Sequence, residues 1–373
     1  MSAGLATAIR DAHVLVTTGA GGVGKTTTAA ALGVAAATAG RRTLVLTIDP
    51  ARRLAQAMGL EELGDAPVRV PLPDAPGELH AMMLDMQTTF DRLIDTHATS
   101  PANARAIRSN RIYRTLSSTL SGTQEYMAME RLHELHESGE WDLLVVDTPP
   151  TRSALDFLDA PKRMTTFLDG KLLRVLLKPS VAAGRGVGRA IGFGATTFIR
   201  VAGRVTGMEL LDDLADFFRN FEGMYDGFKE RAAEVLALLS QPSSRFVVVT
   251  SPEPPPLREA RFFLERLEQE GLHAAGLVVN RIRPEVPRDP SDAALTRAAE
   301  AQPDDVEGRA VAAALALLGD VRGLGARQRR DVDAARYGLE VDPIVHVPLL
   351  GDDVHDLGGL QAIATTLTTG SST

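Results

Sequence analysis

One stretch constrains this chain more than any other: residues 13–28, reading HVLVTTGAGGVGKTTT. A β-branched apolar run, Val14 to Thr18, ends in a glycine-rich loop that closes on Lys25 and Thr26. An alanine-rich segment, Thr28 to Thr38, follows and reads as a helix. Strand, loop and helix together match G-x-x-x-x-G-K-[ST] from Gly19 through Thr26. Such a loop turns backbone amides inward around phosphate oxygens, and glycine lets the backbone approach. The helix N-terminus adds its positive dipole end. In that arrangement Lys25 reaches the β- and γ-phosphates, and the Thr26 hydroxyl ligates Mg²⁺. The competing reading, a glycine turn in an ordinary βα unit, does not need lysine and threonine at those places.

The chain has 373 residues, 44% of them hydrophobic and 24% charged, enough apolar material for a sizeable globular core. Its net charge of -8 argues against broad binding to nucleic acid, because there is no excess of cations to neutralise phosphates. No nucleic-acid partner is expected. Cysteine is absent, which excludes disulfides, thiolate zinc sites and iron–sulfur ligation. His133 and His136 are three apart, but their surroundings read as the solvated face of an amphipathic helix rather than a metal site. No leader pattern precedes the first strand and no long uncharged apolar run follows, so no transmembrane segment and a cytoplasmic location are expected.

Further along, Thr43 to Ile48 is a continuous apolar run of the kind buried on both faces of a sheet. It ends in Asp49, placed to hold a ribose, cap the next helix, or orient water at a γ-phosphate. Leu79 to Asp85 reads as a strand, and Met86 to Thr96 and Asn103 to His136, with breaks near Ser121-Gly122, read as helical. Trp141 to Asp147 (WDLLVVD) fits the Walker B pattern, whose terminal carboxylate supports hydrated Mg²⁺. Arg245 to Thr250, Ala274 to Asn280 and Pro343 to Val347 are further strands. Arg281 to Asp292 reads as an exposed loop, and Ala293 to Gly338 as helix interrupted around Gly319 to Gly325. The alternation implies an α/β fold, a mostly parallel sheet sandwiched by helices, with the chemistry on one edge. Residues 161–240 break that rhythm, with no acid from Lys171 to Gly207. They read either as a basic, apolar groove or lid for a partner or membrane surface, or as an ordinary helical subdomain. The expected division is therefore a P-loop NTPase domain, 1–160 with 241–373, and a helical insertion, 161–240.

The phosphate loop, TIDPA, VVDTPPT, TSPEP, VVN and VPLL occur in the order seen in the arsenite-pump ATPase (ArsA) family. The chain resembles that family over nearly its whole length. The family includes the ATPases that target tail-anchored membrane proteins, and it sits in the deviant-Walker-A class with MinD and ParA. The resemblance implies ATP and Mg²⁺ as cofactors. It implies that Gly21, Gly22, Val23, Gly24, Lys25, Thr26 and Thr27 bind phosphate. It places Asp49 in switch I, polarising the attacking water, and Asp147 beneath the metal, with Thr26, Asp49 and Asp147 as the metal set. Thr148 to Thr151 would be switch II, Glu253 and Asn280 would contact nucleotide, and Pro348 and Leu349 would bracket the base. It implies a dimer, with a hydrophobic client or membrane-protein partner at the insertion.

The departures carry weight. The family's loop has a lysine, reaching the facing subunit's phosphates, where this chain has Ala20, so another charge such as Arg52 or a partner subunit would have to substitute. A heterodimer with a paralogous ATPase is thus as attractive as a homodimer. A catalytically weak regulatory subunit is the second reading, and a MinD- or ParA-like positioning ATPase the third. The cysteine-free sequence disfavours an arsenite-stimulated pump subunit.

Overall fold

The computed structural model describes residues 4–49, 53–111, 113, 123–148, 213, 217, 220, 224–336 and 341–370. Arg52, the loop 149–151 and residues 161–212 of the expected insertion lie outside the described residues.

A short helix α1 (Ala6–Asp11) leads into β1 (Val14–Thr18), all of which is buried, and α2 (Lys25–Thr38) follows the glycine loop. Next come β2 (Arg42–Thr47), α3 (Arg53–Ala57), β3 (Val68–Val70) and β4 (Glu78–Met83). Helices α4 (Met86–His97), α5 (Pro101–Ser109) and α6 (Thr123–Glu137) precede β5 (Leu143–Asp147). Then α7 (Tyr225–Leu239), β6 (Ser244–Thr250), α8 (Pro254–Gln269) and β7 (His273–Ile282) complete the middle of the sheet. The chain closes with α9 (Asp292–Glu300), α10 (Val306–Arg336), β8 (Ile344–Pro348) and α11 (Leu357–Thr369).

The strands form one eight-stranded sheet in the order β3-β4-β2-β5-β1-β6-β7-β8. Every pairing is parallel except β3 with β4. Two cores lie on its faces, because successive side chains of a strand point to opposite sides. Val14, Val16, Leu144 and Val146 join one core, whose helical members come from α4, α5, α6, α7, α8 and α10. Leu15, Leu143 and Val145 join the other, with α1, α2, α3 and α11. Residues 225–239, within the range expected for the insertion, contribute Ala232, Val235 and Leu238 to the first of these cores.

The run of alanines in α2 has a packing reason. Every residue from Thr28 to Ala37 is buried, and a Cβ on Gly33 would lie 2.5 Å from the Val45 side chain. Small residues let this helix lie close against the sheet, which fixes the height of its N-terminus over the strand ends.

Three expectations change. The C-terminal helical region does not break at Gly319–Gly325; α9 stops at Glu300 and α10 runs unbroken from Val306. Pro303 ends the first helix, and Asp305 starts the second by accepting from the Gly308 amide at 2.7 Å. Glycines inside α10 weaken it by only about 1 kcal/mol each, too little to interrupt it. Arg281 lies in β7, not in a loop. His133 is buried rather than solvated, with its Nδ1 3.0 Å from Arg231 Nη1. The short pieces α1, α3 and β3 carry too little periodicity to be read from sequence.

Candidate functional site

The loop between β1 and α2 takes its shape from two glycines. Gly19 has φ +150, and a Cβ there would lie 2.0 Å from the Val249 carbonyl oxygen. Gly24 has φ +96, and a Cβ there would lie 2.2 Å from Asn280 Nδ2. No other side chain fits either place. Lys25, 6% exposed, donates from Nζ to the Gly19 carbonyl at 3.0 Å and the Ala20 carbonyl at 2.9 Å. Burial lowers its pKa, and the charges of Asp147 and Asp49 work in the other direction. The ammonium is thus folded back over the loop, facing two acids.

Those acids stand at the ends of β2 and β5, which lie side by side. Thr47, unmarked by any motif, links them. Its Oγ1 donates to Asp147 Oδ2 at 2.9 Å and accepts from the Asp49 amide at 3.2 Å. Asp147 is fully buried, and its Oδ1 has no hydrogen-bond partner among the described residues. Burial pushes its carboxyl up to about 6, against the opposing pull of the Thr26 and Thr47 hydroxyls and of Lys25. Thr148 turns its hydroxyl back into the sheet, donating to the Thr17 carbonyl at 2.8 Å.

A cavity of about 530 Å³ opens above these groups. Gly22, Gly24, Lys25, Thr26 and Thr27 line it from the loop, Asp49 from β2 and Thr148 from β5. Asn280 lines it from β7, and Pro348 and Leu349 from the end of β8. Five separate stretches of sequence therefore meet at the carboxyl ends of parallel strands, where open α/β sheets take ligands. Gly21 is exposed and outside the wall. Val23 is buried in the core beneath the loop, and only its carbonyl is engaged, by Asn280 Nδ2 at 2.8 Å. Glu253 is exposed at the N-cap of α8 and is not brought to the cavity. From that helix it is Glu259 whose charge reaches Lys25.

Sequence reading passed over four residues here. Arg53 and Arg281 line the cavity as cations, and Asp352 and Asp353 as acids beyond Leu350. None sits at a motif position. The adjacent arginines at 52 and 53 were the one available signal. The donor set fits a magnesium ion: Asp147 holds a buried oxygen without a hydrogen-bond partner among the described residues, Asp49 is 9% exposed, and the Thr26 hydroxyl stands at the helix start. Hard oxygen donors of this kind suit Mg²⁺.

The family profile described as Anion-transporting ATPase matches residues 12–306. A protein of Aquifex aeolicus named for the arsenical pump-driving ATPases is 24% identical over 277 residues, 73% of this chain and 80% of its own length. An uncharacterized protein of Streptomyces coelicolor is 31% identical over 274 residues, 73% of this chain and 63% of its own. The ATPase ASNA1 homolog 1 of Paramecium tetraurelia is 31% identical over 146 residues, 39% of this chain and 43% of its own. The chain thus spans less than two thirds of the latter two relatives.

Proposed function

This chain belongs to the anion-transporting ATPase family, and from that premise we propose that it is an Mg²⁺-dependent ATPase whose nucleotide state opens and closes a dimer. The observation that carries this is the convergence of Lys25, Thr26, Asp49 and Thr148 on one cavity, with Asp147 buried at its floor. Loop amides from Gly22 to Thr27 and the α2 N-terminus hold the phosphates, and Gly21 stands outside that wall. Lys25 leaves the Gly19 and Ala20 carbonyls to pair with them, a stronger acceptor replacing two neutral ones. Mg²⁺, when bound through Thr26, Asp49 and Asp147, neutralises phosphate charge. Asp49 orients the attacking water. Asn280, Pro348 and Leu349 confine the base, and Glu253 has no part on this geometry.

Thr47 gives the cycle its coupling. It joins Asp49 to Asp147, so a displacement at either acid reaches the other. Residues 161–240, of which 225–239 pack into the sheet's core, are the candidate client- or partner-binding subdomain of this reading. The test is binding and turnover of Mg-ATP by purified protein, alone and with any paralogue. Lys25→Ala should abolish both. Asp49→Asn should keep binding and stop turnover, trapping an ATP-bound dimer by mass measurement and retaining a client for identification. No Mg-ATP binding, with Lys25→Ala changing nothing, sinks the reading.

Ala20 favours a second reading, a catalytically weak nucleotide-binding subunit of a heterodimer. Its apolar side chain brings no cation to the loop, and it packs partly buried against the core. Robust turnover by the isolated chain rejects that reading.

A further inference from the structure

Strand β7 ends in an irregularity. Pairing with β8 runs from Leu277–Ile344 to Val279–His346 and resumes at Ile282–Pro348, so Asn280 and Arg281 together face the single residue Val347. Arg281 has φ +61, uncommon for a residue with a side chain. Neighbouring side chains on a regular strand point to opposite faces and cannot both reach one loop. Here they do: Asn280 Nδ2 donates to the Val23 carbonyl at 2.8 Å, and Arg281 Nη1 donates to the Gly22 carbonyl at 3.1 Å. Bulges beside ligand sites serve to re-aim side chains, and strained backbone persists where its surroundings impose it.

The contact with Gly22 uses little of this arginine. A guanidinium has five N–H donors and a permanent charge. The Arg281 guanidinium has one hydrogen bond and no acidic partner among the described residues, and the residue's amide donates to Asn280 Oδ1. It lines the same cavity as Lys25 and Thr26. The charge balance there calls for it. From Gly19 to Thr28 the loop contains one cation, Lys25, and around it stand one further cation, Arg53, and four acids, Asp49, Asp147, Asp352 and Asp353. A nucleoside triphosphate adds several more negative charges.

We propose that Arg281 contacts the phosphate chain of the bound nucleotide, a second cation carried to the loop in cis by the β7 bulge. The inference rests on the nucleotide reading above. The alternative is that the side chain merely braces Gly22. Two variants of the full chain separate them. Arg281→Gln keeps an N–H donor for the Gly22 carbonyl and loses the charge; Arg281→Lys keeps the charge and loses the fork. Affinity for a fluorescent Mg-ATP analogue is measured across a salt series, with unfolding midpoints as a fold control. Arg281→Gln should weaken binding by about tenfold or more and flatten its salt dependence, as expected for losing a hydrogen bond to a charged group. Arg281→Lys should stay within about threefold of the parent. Parent-like affinity in Arg281→Gln overturns the inference, as does an equal loss in both variants, which marks a brace. If Lys25→Ala loses binding while Arg281→Gln does not, only this inference falls. If the parent itself binds no nucleotide, the underlying reading falls with it.

Discussion

Asp147 sits under two opposing demands. A carboxylate with no water around it is unstable, and burial raises its pKa to about 6. Its proton is held more tightly in the folded chain than in the unfolded one. The stability this gives is therefore full below the ordinary aspartate pKa and lost as pH rises through about 6. Above that the folded chain carries a buried charge at a cost. Asp147→Asn removes the charge and keeps an acceptor for Thr47. In metal-free, nucleotide-free buffer at pH 8 we expect the substitution to raise the unfolding free energy by about 1–3 kcal/mol, read by urea denaturation, while ATP turnover disappears. Gly24→Ala should do the reverse of a stabilising change. Its Cβ has no room beside Asn280 Nδ2 and its φ of +96 disfavours alanine. Nucleotide affinity should fall by at least about tenfold with a lower melting temperature.

Between elements, α2 depends on an absent side chain. Gly33 lets the helix approach β2 and β4, and any added Cβ would meet Val45 at 2.5 Å and Leu79 at 3.0 Å. Gly33→Val should cost about 1–3 kcal/mol by overpacking, and it should also weaken nucleotide binding because it lifts Lys25 and Thr26 at the same helix's start. On the other face, α6 and α7 are joined by Arg231, whose Nε lies 2.9 Å from Glu130 Oε1. Burial raises the Glu130 carboxyl to about 7 even against the Arg231 charge, with Glu234 and Glu134 adding to the rise and the Tyr126 hydroxyl opposing it. Its stabilising contribution is present below the ordinary glutamate pKa and lost as pH climbs through 7. Chemical denaturation at pH 5 and pH 8 should show the parent losing more stability than Glu130→Gln over that interval.

Across the whole molecule, the sheet is closed at the back by the chain's last helix. Leu360, Ile363, Ala364 and Leu367 of α11 are buried in the core around α2, and the Leu5 amide donates to the Leu367 carbonyl at 2.7 Å. Deleting residues 357–373 should cost more than about 5 kcal/mol, from three large side chains at roughly 1.5–3 kcal/mol each, and should leave α2 unsupported. Loss of cooperative unfolding by circular dichroism is the expected readout. Among the described residues no helix is long and apolar enough to cross a membrane.

Much of this was written locally. The phosphate loop, the buried β-branched runs and the two strand-end acids are short-range patterns, because a loop that wraps phosphate and a strand buried on both faces each dictate their own residues. These yielded the α/β class, the family and the positions of Lys25, Thr26, Asp49 and Asp147. What the sequence could not decide were the partnerships among distant strand ends. Thr47 looks like any strand threonine until β2 lies beside β5. Arg281 looks like the start of an exposed loop until a bulge turns it onto Gly22, and Glu253 looks like a site residue until its helix start falls outside the cavity. Side-chain chemistry is set by the residue, but which charges share a cavity is set by strand order and register, and those arise only when the sheet assembles.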